Sequence, residues 1–125
     1  MSRTDARIPD AQEAFRRRVE AALERDDPHE LGDLVLEIAL DAGEREWAQA
    51  CCAELARHRN ANVRGNALAG LGHLARRFGQ LDPQRIKRIV SIALWDRSDY
   101  VRAQAKSAVE DLATFLSWEF EEPAS

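Results

Sequence analysis

Residues 44–79 and 82–118 of this chain repeat one another. A shift of 38 residues lays Val63, Arg64, Ala67, Leu71, Leu74 and Ala75 over Val101, Arg102, Ala105, Val109, Leu112 and Ala113, most of them identical. The same shift lays Cys51, Cys52 and Leu55 over Ile89, Val90 and Ala93, so each half contributes a whole helical hairpin to the correspondence. A period of this length marks helical repeats. One pair of helices cannot bury its own apolar stripe, so neighbouring pairs stack to bury it together.

The remaining pattern supplies the helices. Asp10 and Glu13 have the spacing of a capping box, and Phe15, Val19, Ala22 and Leu23 recur at helical period behind them, which predicts a helix to about Arg25. Asp27, Pro28 and Glu30 predict a second start and box, with Leu31, Leu34, Val35 and Ile38 inward and an end near Gly43. Trp47, Ala48, Cys51, Cys52 and Leu55 form a third stripe, closed by a polar turn from His58 to Asn62. Val63, Ala67, Leu71, Leu74 and Phe78 share one face of a fourth helix, with Gly79 as its C-cap. Asp82 and Pro83 open a fifth, with Ile86, Ile89, Val90 and Ala93 inward, and a turn from Asp96 to Asp99 leads to a sixth carrying Val101, Ala105, Ala108, Leu112 and Phe115. No segment alternates with period two, so the expected class is all-α. A length of 125 residues suits one core, and the expected domain is 1–125, with helix pairs at about 10–43, 44–79 and 82–118 and a tail at 119–125.

The run Asp96, Arg97, Ser98, Asp99, Tyr100, Val101, Arg102, Ala103, Gln104, Ala105 resembles the turn and second-helix start of a HEAT repeat. In that family an Asp of the turn and an Arg near the helix start pair between neighbouring units. Asp96 and Arg102 hold those places; Arg64 matches in the earlier unit, but His58 stands at the Asp position, which implies an incomplete ladder. The first two helices lack the Val-Arg signature, as a divergent capping unit would. The resemblance covers about 75 residues and implies a short right-handed solenoid of three antiparallel helix pairs, HEAT/armadillo-like, whose second helices line a concave face. Gly65, Ala69, Gly70 and Gly72 would serve tight helix packing in preference to close approach of a partner.

Charge is polarised along the chain. From Glu20 to Glu46 ten acidic and two basic side chains give −8, from Arg57 to Arg88 eight basic and one acidic give +7, and Glu110 to Glu122 adds five acidic residues with no basic one. The first residues carry no apolar run of a signal sequence, no stretch approaches a membrane span, and the adjacent Cys51 and Cys52 cannot frame a disulfide fold, so a cytoplasmic protein without membrane attachment is expected.

Motifs for chemistry do not survive inspection. Gly70, Gly72 and Ala75 spell the dinucleotide-binding fingerprint, with Asp96 at the distance of a ribose-binding acid, but they fall inside a helix where the fingerprint needs a strand before it. His29, His58 and His73 fall on different elements, and no serine sits in a nucleophile elbow. No catalytic residue, metal ligand or cofactor is therefore assigned. Nucleic-acid binding by the arginine-rich middle is disfavoured by a pI near 5.4, the acidic flanks and the lack of interleaved aromatics.

What remains is a binding surface. Small chains of two or three HEAT-like units resemble immunity proteins of polymorphic or contact-dependent toxin systems, and the resemblance implies a non-catalytic protein-binding module that neutralises a cognate toxin, a basic nuclease being suited to the acidic patches. The alternative is a regulatory adaptor or assembly scaffold binding a host protein through the concave face, and a nucleic-acid-binding helical repeat is third. The expected contact residues follow the outward face of the second helices: Asp33 and Glu37, then Asn66, His73 and Arg77, then Asp111 and Trp118. Trp47 and Trp95 are expected to pack between units, and Trp118 with Phe120 to cap the open end or join an interface.

Overall fold

The structure is a computed structural model and describes residues 10–120; the expected domain margins at 1–9 and the tail at 121–125 lie outside the described residues. Its helices are α1 (Ala11–Arg25), α2 (Pro28–Asp41), α3 (Arg45–Leu55), α4 (Ala61–Phe78), α5 (Pro83–Ala93) and α6 (Asp99–Leu116). No strand occurs among the described residues, so the class is all-α. None of these helices is long and apolar enough to cross a membrane.

Side chains cap most of the helix starts. Asp10 accepts the Glu13 amide at 2.7 Å, Asn60 the Val63 amide at 3.1 Å, Asp82 the Gln84 amide at 3.1 Å and Ser98 the Val101 amide at 3.2 Å. The second capping box does not form. Asp27 accepts from His29, while Glu30 turns back to Arg25, with Nε to Oε1 at 3.0 Å and Nη2 to Oε2 at 2.6 Å. A bidentate charge-assisted pair outcompetes a single bond to a backbone amide. α2 ends just before Gly43, as expected, with Ala42 as its cap in extended conformation. The Gly43 amide donates to Gln12 Oε1 at 2.7 Å, tying the α2–α3 corner to α1. Left-handed caps do end α1 at Asp26, α4 at Gly79 and α6 at Ser117.

The buried apolar cluster draws on all six helices, and α4 lies at its centre, packed against α2, α3 and α6. Close approach there requires small residues. A Cβ at Gly70 would stand 3.1 Å from Cys52 Sγ and 3.3 Å from Ala39 Cβ, and one at Gly72 would run into the Asp111 carboxylate. Both glycines lie in the interior of α4, where they serve helix packing. Two aromatic placements differ from expectation. Phe115 is 41% exposed under the Arg76 guanidinium, on α6, which among the described residues packs mainly on α4 and α5. Trp95 is 67% exposed in the turn after α5, whereas Trp47 packs edge-on against Phe15 of α1 with centroids 5.9 Å apart.

Polar rungs join successive helix pairs at their turns. Arg64 of α4 grips Asp96 of the next turn through Nε to Oδ2 and Nη2 to Oδ1, both at 2.9 Å, and its Nη1 donates to the His58 and Arg59 carbonyls at 3.0 Å. The partner of Asp96 across units is thus Arg64, while Arg102 bonds the Asp96 carbonyl at 2.6 Å and the Asp99 carboxylate. His58, one 38-residue shift before Asp96, also joins its turn to the preceding one. Its Nδ1 accepts the Asn60 amide at 3.0 Å, as Asp96 Oδ1 accepts the Ser98 amide at 2.9 Å, which leaves Nε2 as the donor to Asp26 Oδ1 at 2.6 Å. Imidazole keeps the acceptor that shapes the turn and converts the outward group from acceptor to donor. The rung then closes on an acid of the preceding corner, and the hydrogen bond from His58, with a second from Arg59, holds the Asp26 carboxyl below its usual range.

Candidate functional site

The seven residues expected at a partner face lie along α2, α4 and α6 and just beyond α6, but most already have intramolecular partners. Glu37 takes two bonds from Arg18, at 3.2 and 2.5 Å, which lower its carboxyl pKa. Asn66 donates to the Gly32 carbonyl at 3.0 Å and accepts from the Tyr100 hydroxyl, linking three second helices. Arg77 donates to the Ala39 and Ala42 carbonyls, both at 2.7 Å, and so satisfies the C-terminal end of α2. Asp111 lies over Gly72, and Trp118 rests against the core beside Phe120, with Lys87 Nζ 5.6 Å from its ring centroid. Asp33 is exposed and His73 half-buried. The fold brings Asp33 and Asn66 together in a shallow polar pocket of about 220 Å³ at the N-terminal ends of α2, α4 and α6.

Folding also redistributes the charge. Of the ten carboxylates between Glu20 and Glu46, five are paired: Asp26 with His58 and Arg59, Glu30 with Arg25, Glu37 with Arg18, Glu44 with Arg16, and Glu46 with Arg45. In the basic block Arg59 and Arg64 are paired, Arg77 is bound to carbonyls, and Arg76 and Lys87 lie over aromatic rings. That leaves Arg57, Arg85 and Arg88, which have no ion-pair partner among the described residues.

Those three arginines line one groove. It runs between α3 and α5, has a volume of about 1330 Å³, and is floored by Ala53, Ala56, Ile89, Ile92 and Ala93. Ile92 is 66% exposed there. Three carboxylates also line it, yet two are occupied: Asp96 by Arg64 and the Ser98 amide, Asp82 by the first amides of α5. Only Asp96 is neutralised by a cation, so the rim carries Arg57, Arg85 and Arg88 against Glu54 and the N-capping Asp82.

From the sequence alone Ile89 is expected inward, and the arginines count as part of a basic block weighed for nucleic acid and not as the rim of a groove. A signal was present in the repeat: the 38-residue shift puts Arg85 at the position of Trp47. On α3 that position carries the indole that meets Phe15 of α1, with Arg16 4.9 Å above it. On α5 it carries a guanidinium, and the equivalent space stays open.

The two thiols are not poised for nucleophilic chemistry. Burial pushes Cys51 up to about 11 and Cys52 upward as well, so both are protonated near neutrality. Comparison with protein-family models, curated proteins and solved structures returned no match to this chain.

Proposed function

We propose that the chain is a non-catalytic protein-binding module, a single domain built as a short right-handed stack of three antiparallel helix pairs. Its arrangement of contacts supports this: α2, α4 and α6 pack side by side, and the rungs Asp26–His58 and Arg64–Asp96 join each turn to the next. The observation that carries the binding reading is the α3–α5 groove, where an aliphatic floor and three uncommitted arginines remain open to solvent. Exposed aliphatic surface is unfavourable in water and becomes favourable when a partner covers it, while the hydrated cations beside it select the partner's charge.

In its specific form the module acts in the cytosol as an immunity protein, occupying the active site or binding face of a cognate toxin domain. Internal pairing of half the acidic block moves the electrostatic basis of that reading. Complementarity to a basic nuclease rests on the remaining carboxylates, such as Asp33 and Asp41, whereas the groove favours an acidic element of the partner. The groove equally favours the adaptor reading, in which that acidic element belongs to a host protein.

Affinity capture on the full chain, followed by expression of the captured protein alone and with this chain, tests the proposal. A protein that is toxic alone and harmless in combination supports immunity, and a harmless, stoichiometric partner supports the adaptor. Retention of nucleic acid alone, lost at raised salt, would refute the protein-binding reading.

A further inference from the structure

We propose that the groove between α3 and α5 is a docking site for an acidic amphipathic helix of a partner protein. The proposal rests on the protein-binding reading above and names the chemistry of the element bound. Four observations lead to it.

The first is the residue at one equivalent position of the two helices. Trp47 on α3 reaches Phe15 and closes the space toward α1; Arg85 occupies the corresponding place on α5 and does not close the space toward α3. At the mouth of the groove Asp82 still ties down one end, its amide donating to Gln49 Oε1 at 2.8 Å. The two helices are thus held across an unfilled gap.

The second is the order of the lining. Arg85, Arg88, Ile89 and Ile92 stand at i, i+3, i+4 and i+7 on one side of α5. That is a ridge of the kind a second helix packs against, presenting apolar anchors to the isoleucines and flanking groups to the arginines. The third is size: α5 has 11 residues, about 16 Å of helix, which accommodates roughly three turns of a partner helix in a groove of about 1330 Å³.

The fourth is the sign and character of the lining. With Asp96 paired to Arg64, the lining carries Arg57, Arg85 and Arg88 against Glu54 and Asp82, and the positive excess, with Arg85 and Arg88 on the α5 ridge, favours carboxylates on the flanks of the bound helix. The floor is aliphatic, with no aromatic face on which bases could stack, so a polyanion without apolar anchors would leave it uncovered.

The test uses the full chain and a synthetic peptide of about four helical turns, with leucines at i, i+3, i+4 and i+7 and glutamates flanking them. Fluorescence anisotropy of the labelled peptide should show saturable binding that weakens with salt, and amide shifts should concentrate on α3 and α5. The same peptide with lysines for glutamates should not bind. The double substitution Arg85→Glu/Arg88→Glu should weaken the acidic peptide about tenfold or more. Arg85→Trp supplies the indole of the equivalent α3 position; it should keep the helical circular dichroism signal and lose the peptide by filling the groove.

Absence of binding, equal binding of the two peptides, or binding unchanged by Arg85→Glu/Arg88→Glu and by Arg85→Trp would overturn the proposal. Preference for a single-stranded oligonucleotide would overturn it in favour of nucleic acid, and self-association abolished by Ile92→Glu would overturn it in favour of a second copy. The two levels separate cleanly. A captured partner that binds Arg85→Glu/Arg88→Glu as well as the parent chain leaves the protein-binding module standing and removes the groove from it.

Discussion

Replacing Arg64 by alanine removes four hydrogen bonds at once, two to the Asp96 carboxylate and two to the His58 and Arg59 carbonyls. Asp96 is then left with the Ser98 amide as its remaining partner. Arg64 and Asp96 keep only 13% and 16% side-chain exposure, so the orphaned carboxylate is largely out of water. Breaking a buried pair costs roughly 3–5 kcal/mol, and partial solvent access puts this rung at the lower end, about 3 kcal/mol. For a chain of this length that corresponds to a fall in Tm of about 12 °C, or about 2 M in the urea midpoint for a slope near 1.5 kcal/mol/M. A double-mutant cycle isolates the rung: once Arg64→Ala is made, adding Asp96→Ala should cost little, giving a coupling of about 2 kcal/mol. The pH dependence has a fixed sign. The hydrogen bond from Arg64, and next to it that from Ser98, holds the folded Asp96 carboxyl below its unfolded value of about 3.9, so the stabilisation is complete above that pH and is lost as pH falls through the folded value. Stability curves of the parent and Asp96→Asn, measured by urea unfolding, should therefore start to approach one another as pH falls below about 4 and meet only below the folded value. Additive single-mutant losses, or losses under about 1 kcal/mol, would refute the claim that this rung joins the units.

Gly70→Val should cost about 3 kcal/mol in thermal unfolding, because its Cβ already meets Cys52 and Ala39 at the junction of α2, α3 and α4. Ser117→Gly should stabilise by about 0.5 kcal/mol, since Ser117 holds a left-handed conformation at φ 60° and no side-chain bond from it to another described residue compensates; a loss of stability in chemical denaturation would contradict this. Asp26 shares that conformation, but Asp26→Gly should destabilise, as it removes the partner of His58 and Arg59. A disulfide-exchange reagent at pH 8 should leave both cysteines unmodified in the folded chain and label both in denaturant, with fast labelling of native Cys51 as the contrary result.

Much of the helical layout was legible in the residues. Asp10, Asp27 and Asp82 cap helices as expected, Asn60 and Ser98 do so from within the expected turns, and most of the α4 and α5 stripes is buried, Ile89 excepted, because capping and periodicity are local and depend only on neighbours within about one turn. Where the reading erred, a residue had a choice of partners. Glu30 found Arg25 in place of its own helix start, Phe115 lies partly in solvent under Arg76, and Trp95, expected between units, is left in an exposed turn. The seven residues chosen for a partner face were selected by period alone, and period could not reveal that Glu37, Asn66 and Arg77 are engaged within the chain.

The sequence by itself determined that this chain forms helices and roughly where they start, and it carries a 38-residue recurrence of apolar residues between 44–79 and 82–118, because capping and apolar periodicity are set by near neighbours. Tertiary structure decided which charges remain available. Net charge is a sum over the chain, but a partner meets only the groups that folding leaves without one, and pairing depends on distances between helices far apart in sequence. Ten carboxylates in one block became five, eight cations in another became three, and those three came to share a single groove.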